Sequence, residues 1–221
     1  GMLHAVYALK GKYAGKHQLA NDAIYLERTL CQEAGGLQDQ IAAAYGGFNK
    51  ITFRQEGYSV EPVIISRQRK KELNDRLMLF FSGFSRFSAQ VQAYTVQAIP
   101  EKHKQLMEME GLVTEAEKIL TSKAPLSEFG RLLDWTWKLK RGITDSISTS
   151  HIDALYDSAL HAGALGGKLL GAGGGGFLLF YVEPEHQQRV REALNELMYV
   201  PFRFENRGSS VIFFEPEELP T

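Results

Sequence analysis

The segment Lys168-Leu169-Leu170-Gly171-Ala172-Gly173-Gly174-Gly175-Gly176-Phe177 sets a glycine run directly ahead of the apolar stretch Leu178-Leu179-Phe180-Tyr181-Val182. Without Cβ atoms the backbone there reaches positive φ and admits another chain or a phosphate at close range. Glycine inside regular structure costs about 1 kcal/mol relative to alanine, so a cluster this dense serves a close approach. Gly171, Gly173 and Gly176 satisfy the spacing G-x-G-x-x-G. A dinucleotide-binding turn, however, needs a strand before its glycines and a helix after them, and this sequence predicts the reverse order, helix then strand. No Lys-Ser/Thr pair follows, so a P-loop is excluded as well. From the glycines alone, a tight packing turn and a phosphate-approaching loop both stay open.

Outward from that run, 221 residues with 44% hydrophobic composition support a substantial core in one large or two small domains. Lys+Arg 25 against Asp+Glu 26 leaves a net charge of -1, without the electrostatic footprint of a nucleic-acid or anionic-membrane binder. The single cysteine, Cys31, excludes an intrachain disulfide and fits a reducing cytoplasm. No apolar run is long enough to span a bilayer and no signal peptide stands at the start, so a soluble protein is expected. Leu3 to Leu9 is helical in composition with no capping residue ahead of it, as if the chain entered in mid-element.

His17 to Cys31 reads as one helix, with Leu19, Ala23, Leu26 and Leu30 along a face. The neighbouring stripe, Ala20, Ile24, Glu27 and Cys31, puts the Glu27 carboxylate beside or within the buried side. Burying a carboxylate is costly unless it is paired or holds a cation, so either an ion pair with Arg28 or Lys16, exposure at the stripe's edge, or cation binding accounts for it. Gly35-Gly36 and Gly46-Gly47 bracket a short helix that starts near Gln38 and Asp39. An aspartate there caps free N–H groups or complements the helix dipole; the same placement would hold an ionised carboxylate rigidly for chemistry.

Phe48 to Phe53 and Tyr58 to Ser66 read as strands, and Arg67 to Glu72 as a solvated loop before a third strand, Leu77 to Phe81. Ser82 to Ser88 then enters a helix, where a serine cap competes with an anion site that uses Arg86. Ala89 to His161 is helical with breaks near Pro100, Ala124-Pro125 and Gly142 to Ser150, and Ser150 is expected to cap the helix leading to the glycine run. Pro184 opens a further helix, and Val200 to Phe204 and Ser209 to Phe214 are expected as closing strands. The order predicts an α+β fold whose last part is ferredoxin-like.

Two segments together carry a family resemblance. Gly36-Leu37-Gln38-Asp39-Gln40 with Ala43-Ala44-Tyr45-Gly46-Gly47, and Gly166 to Phe177 with its lead-in Ala162 to Leu170, resemble the catalytic-aspartate segment and third motif of the GHMP kinases. The similarity runs over nearly all of the chain and is strongest to bacterial kinases of D-glycero-D-manno-heptose phosphate, which also carry a glutamate at the place of Glu27.

The resemblance implies an ATP-dependent phosphotransferase acting on an alcohol group, with Asp39 as general base toward a sugar hydroxyl. It implies Glu27 as a Mg²⁺ ligand, and Gly171, Gly173, Gly174, Gly175 and Gly176 beside the nucleotide. It further implies substrate contacts from Gly36, Gln38, Arg86 and Lys168. Residues 1–70 would be a remnant of the N-terminal catalytic domain and 71–221 the ferredoxin-like C-terminal domain.

Family members also carry a glycine-serine phosphate loop ahead of the helix matching Leu3 to Leu9, and no such segment stands in this sequence. The chain is therefore expected to be the C-terminal two-thirds of a sugar kinase, weakly active or inactive alone. The competing expectation is a non-catalytic ferredoxin-like module that binds a metabolite or a second copy, with a homodimer forming through exposed strand edges. A sugar-phosphate substrate, ATP and Mg²⁺, with no nucleic-acid or membrane partner, complete the reading.

Overall fold

A computed structural model describes residues 1–33, 35–83, 88–171 and 173–215, with backbone only at 88–90 and 92. Arg86, one of the expected substrate contacts, lies outside the described residues. Two compact units divide the chain: Gly1–Val63 together with the C-terminal segment from Phe204, and Ile64–Arg203. The expected division at 70/71 differs from this in its boundary and in that last segment, which packs with the first unit.

The first unit opens with α1 (Met2–Leu9) and α2 (Lys16–Ile24). The chain then continues from α2 as a π-helical turn, Tyr25–Leu30, instead of the single α-helix expected to Cys31. The wider turn rotates every later side chain off the α-helical stripe. Leu30, expected on the apolar face, is consequently exposed, and so is Cys31. Helix α3 (Gln38–Tyr45) follows and ends at Gly46, whose φ of +58° suits glycine. An antiparallel hairpin joins β1 (Asn49–Arg54) to β2 (Gly57–Pro62), in register from Asn49↔Pro62 to Arg54↔Gly57. Leu19, Ala20, Ile41 and Ala44 form the buried centre, with Ile51, Tyr58 and Val60 of the hairpin against it.

The C-terminal segment returns across the end of α3. Ser209 N–H donates to the Ala43 carbonyl at 2.9 Å and Gly47 N–H to the Glu205 carbonyl at 3.1 Å. At the crossing, a Cβ on Gly208 would lie 2.1 Å from the Ala44 oxygen, and one on Gly46 would lie 2.1 Å from Gly208 N. The expected strand at Ser209 to Phe214 does not form among the described residues; backbone bonds to α3 take the place of a sheet.

The second unit starts with α4 (Arg67–Arg76), where a solvated loop was expected. Ser66 caps it by accepting from Arg69 N–H at 3.1 Å, and Leu73 is its buried anchor. Strand β3 (Leu77–Phe81) leads to α5 (Ser88–Ala98), α6 (His103–Thr121), α7 (Ser127–Arg141) and α8 (Ser150–Ala162). The cap of α8 is Thr149, one residue before the expected serine; its Oγ1 accepts from Ile152 N–H. The helix ends at Gly163, and β4 (Ala164–Leu169) stands where helix was expected to run into the glycines.

Strand β5 (Phe177–Val182) turns back along β4, and α9 (Gln187–Ala193) and the short β6 (Met198–Tyr199) complete the unit. The sheet order is β4-β5-β3-β6 with every pairing antiparallel. Read from β3, with the helices α5 to α8 as the first crossover and α9 as the second, this is the β-α-β-β-α-β ferredoxin-like order. Phe80, Phe180, Leu178, Trp137 and Tyr156 fill the core beneath it.

Candidate active site

Within the first unit, Glu27 and Asp39 line one cleft of about 340 Å³, floored by Leu3, Leu19 and Leu26 and joined by Gln40. Sequence spacing identified each carboxylate separately, and the fold brings them together. Glu27 reaches the cleft from the π turn, half-buried. Neither expected ion-pair partner holds it: Lys16 Nζ donates to the Tyr45 carbonyl at 2.7 Å, and Arg28 donates to the carbonyls of Glu33 and Gly35. Its hydrogen bond comes from the Gln40 carboxamide, Nε2 to Glu27 Oε2.

Asp39 is the second residue of α3 and exposed. The residue preceding the helix is Leu37 and no side chain caps the first turn, so capping does not account for the aspartate. No hydrogen bond or ion pair to it occurs among the described residues, which leaves both carboxylate oxygens available to a ligand. Gln38 opens the same helix, exposed, and Gly36 precedes it with open space where a Cβ would stand.

Among the described residues no three His, Cys, Asp or Glu side chains gather as a metal cluster. Magnesium takes one or two protein carboxylates and completes its shell with water and phosphate oxygens. A single half-buried carboxylate at the cleft wall therefore fits that ion with a nucleotide. It does not fit an all-protein cage.

The glycine run belongs to the second unit, as the tip of the β4–β5 hairpin. Gly171, Gly173, Gly174 and Gly176 have φ of +75°, +124°, +76° and +112°, which side-chain-bearing residues rarely adopt. Three anchors fix the tip. Gly174 N–H donates to the Ile147 carbonyl at 2.9 Å, and a Cβ on Gly173 would lie 2.7 Å from that same oxygen. Buried Ser82 exchanges two bonds with Gly176, its N–H donating at 2.8 Å and its Oγ accepting at 3.0 Å. Lys140 Nζ donates to the Gly171 carbonyl at 2.6 Å. Gly175 completes the tip.

Lys168 stands on β4, half-buried, with its pKa lowered by burial. Burial, and secondarily the like charge of Lys168, bring Lys140 down to about 8. Sequence reasoning missed Lys140, Ser82 and Gln40. A lysine or glutamine at helical spacing reads as a solvated position, and only tertiary contacts distinguish these three.

Residues 120–200 match the family model described as the C-terminal domain of the GHMP kinases. D-glycero-alpha-D-manno-heptose 7-phosphate kinase of Campylobacter jejuni is 30% identical over 199 residues, which cover 88% of this chain and 58% of that relative. The chain thus spans less than two-thirds of the length of this curated relative. The crystal structure of a D-glycero-D-manno-heptose 1-phosphate kinase from Bacteroides thetaiotaomicron superposes with a TM-score of 0.64 at 28% identity, over 93% of this chain and 58% of that one. A mevalonate kinase structure reaches a TM-score of 0.72 at 22% identity over 94% of this chain and 62% of that one, a likeness of fold.

Proposed function

We propose that the chain is part of a GHMP kinase, whose C-terminal domain its residues 120–200 match, and that this kinase is ATP-dependent and takes a sugar or sugar phosphate, of the heptose 7-phosphate type. The observation that carries the reading is the meeting of Glu27 and Asp39 in one cleft. Asp39 is the general base. One of its oxygens takes the proton of the acceptor hydroxyl as the hydroxyl's own oxygen bonds to the γ-phosphorus; the bond from phosphorus to the departing ADP oxygen breaks, and ADP leaves with its electron pair.

Glu27 would hold Mg²⁺ together with the nucleotide phosphates, and the ion neutralises charge on the phosphoryl oxygens when bound. The glycine hairpin and Lys168 of the second unit are read as contacts for the nucleotide and the substrate, and Gly36 and Gln38 of the first as backbone contacts for the acceptor. In domain terms, the first unit corresponds to a portion of the catalytic N-terminal domain and the second to the C-terminal domain. The lone exposed thiol of Cys31 supports a reducing cytoplasm as its location. The edges of the two-stranded sheet support a homodimer. No helix among the described residues is long and apolar enough to cross a membrane.

The test has two arms. Calorimetric titration with Mg-ATP should show binding that weakens at least about tenfold in Glu27→Ala, since even the partner behind a metal ligand is worth that much. ADP release with D-glycero-D-manno-heptose 7-phosphate should fall ~10²- to 10⁴-fold in Asp39→Asn, with Mg-ATP affinity unchanged. Equal turnover in Asp39→Asn and the parent overturns the base assignment; no Mg-ATP binding by the parent overturns the kinase reading for this chain.

A further inference from the structure

Glu27 owes its orientation to a neighbour to which the proposed reaction gives no role. Gln40 follows Asp39 on α3 and its Nε2 donates to Glu27 Oε2. The reverse amide orientation would press a carbonyl oxygen against a carboxylate, acceptor against acceptor, so the nitrogen must face Glu27. Gln40 Oε1 is then sealed from solvent with no hydrogen-bond partner among the described residues.

An unmet buried acceptor is unfavourable, and a leucine or methionine would fill the same volume without one. Packing therefore does not explain a glutamine here; the donor it presents to Glu27 does. Glu27 lies on the π-helical turn Tyr25–Leu30, a type of distortion that recurs at functional sites because it redirects side chains. The turn brings the carboxylate into the cleft, and Gln40 pins it there.

We infer that Gln40 is a positioning residue: its carboxamide fixes the Glu27 carboxylate in the cleft for a divalent cation, so that one turn of α3 supplies both the proton acceptor and the holder of the cation ligand. The inference rests on the reading of Glu27 as that ligand. A carboxylate free to rotate presents its oxygens to a cation only part of the time, whereas a donor on one oxygen leaves the other set for binding.

The probe is Mn²⁺ alone, added to the ¹⁵N-labelled chain and followed by paramagnetic broadening of amide signals, a readout independent of turnover. In the parent, Mn²⁺ should broaden the Gln40 side-chain NH₂ pair and the backbone amides around Glu27, and Glu27→Gln should abolish the backbone effect. Gln40→Leu should need about tenfold more Mn²⁺ for the same backbone broadening, with signals outside the cleft unmoved. Gln40→Met provides the same comparison where leucine perturbs folding.

Broadening at the parent's Mn²⁺ concentration in both Gln40 variants, but lost in Glu27→Gln, overturns the role of Gln40 and leaves the Glu27 reading standing. Broadening that is absent from the parent, or unchanged in Glu27→Gln, removes the cation site and the inference with it.

Discussion

Lys140 carries a charge into a place that does not favour it, and its consequence is measurable. Its folded pKa of about 8 lies below the ordinary 10.5 because burial, and secondarily the charge of Lys168, oppose protonation. Between those two values the unfolded chain binds more protons than the folded one, so this group makes stability rise with pH. The direction is opposite to that of a lysine gaining a carboxylate partner. Below about pH 8 the cost is present in full, and above about pH 10.5 it is gone. Lys140→Met abolishes the titration. The parent should therefore gain about 1–2 kcal/mol over the variant between pH 7.5 and pH 10, after discounting for relaxation and residual solvent. Urea midpoints at the two pH values check this, and a parent-minus-variant difference flat with pH removes the assignment.

At the same scale, Glu27 stood out because helical spacing puts its carboxylate beside an apolar stripe, and Asp39 because glycine pairs bracket the short helix that starts beside it; their proposed roles came from the family resemblance. Gln40 was not legible. A polar uncharged residue at a half-buried helical position has no sequence signature until its partner is located.

Elements were read well where apolar periodicity sets them and poorly where glycine or charge masks it. Leu77–Phe81 and Phe177–Val182 announce strands by composition, and they form the paired centre of the sheet. Ala164–Leu169 does not, because Gly166 and Gly167 lower strand propensity. The reason for Gly166 is tertiary: a Cβ there would lie 2.1 Å from the Gly130 oxygen of α7, so the strand gives up side chains to admit that helix. Helix α4 was hidden by its charges, since a single buried leucine and a serine cap are enough to hold it.

The crossing of Gly208 over α3 supplies the prediction at this scale. Alanine at 208 would bring Cβ to 2.1 Å from the Ala44 oxygen, with backbone atoms on both sides and no side chain able to rotate away. Gly208→Ala should destabilise the first unit by about 2–4 kcal/mol, at the upper end for overpacking. Amide exchange in α3 and β1 should accelerate accordingly, while exchange in β3 and β5 keeps its parent rates. Parent-like protection of α3 in the variant shows that the segment yields without cost.

At the scale of the whole molecule, the ferredoxin-like order could be read from the succession of strands and helices. The discontinuity of the first unit could not. The segment from Phe204 ends in the continuous apolar run Val211-Ile212-Phe213-Phe214, which expresses a preference for strand without naming a partner. The structure assigns it to α3 and to the loop at Gly46-Gly47, where Phe48 also meets Phe204 with ring centroids 5.3 Å apart.

The first unit therefore depends on a piece of chain that arrives only after the second unit is complete, whereas Ile64–Arg203 is continuous and has a core of its own. Both tryptophans, Trp135 and Trp137, lie in that continuous stretch, so tryptophan fluorescence reports on the second unit while far-UV circular dichroism reports on both. A chain ending at Arg203 lacks Ser209, Gly208 and Phe204, and with them the backbone bonds and ring contact that close the end of α3. Its fluorescence-detected urea transition should keep the parent midpoint. Its circular dichroism should show an additional loss of helix at lower urea, from α1 to α3, so that the two probes no longer coincide as a single cooperative transition requires. Coincident transitions at the parent midpoint would show that the first unit holds together without its C-terminal segment; a joint shift of both probes would show that the two units unfold as one.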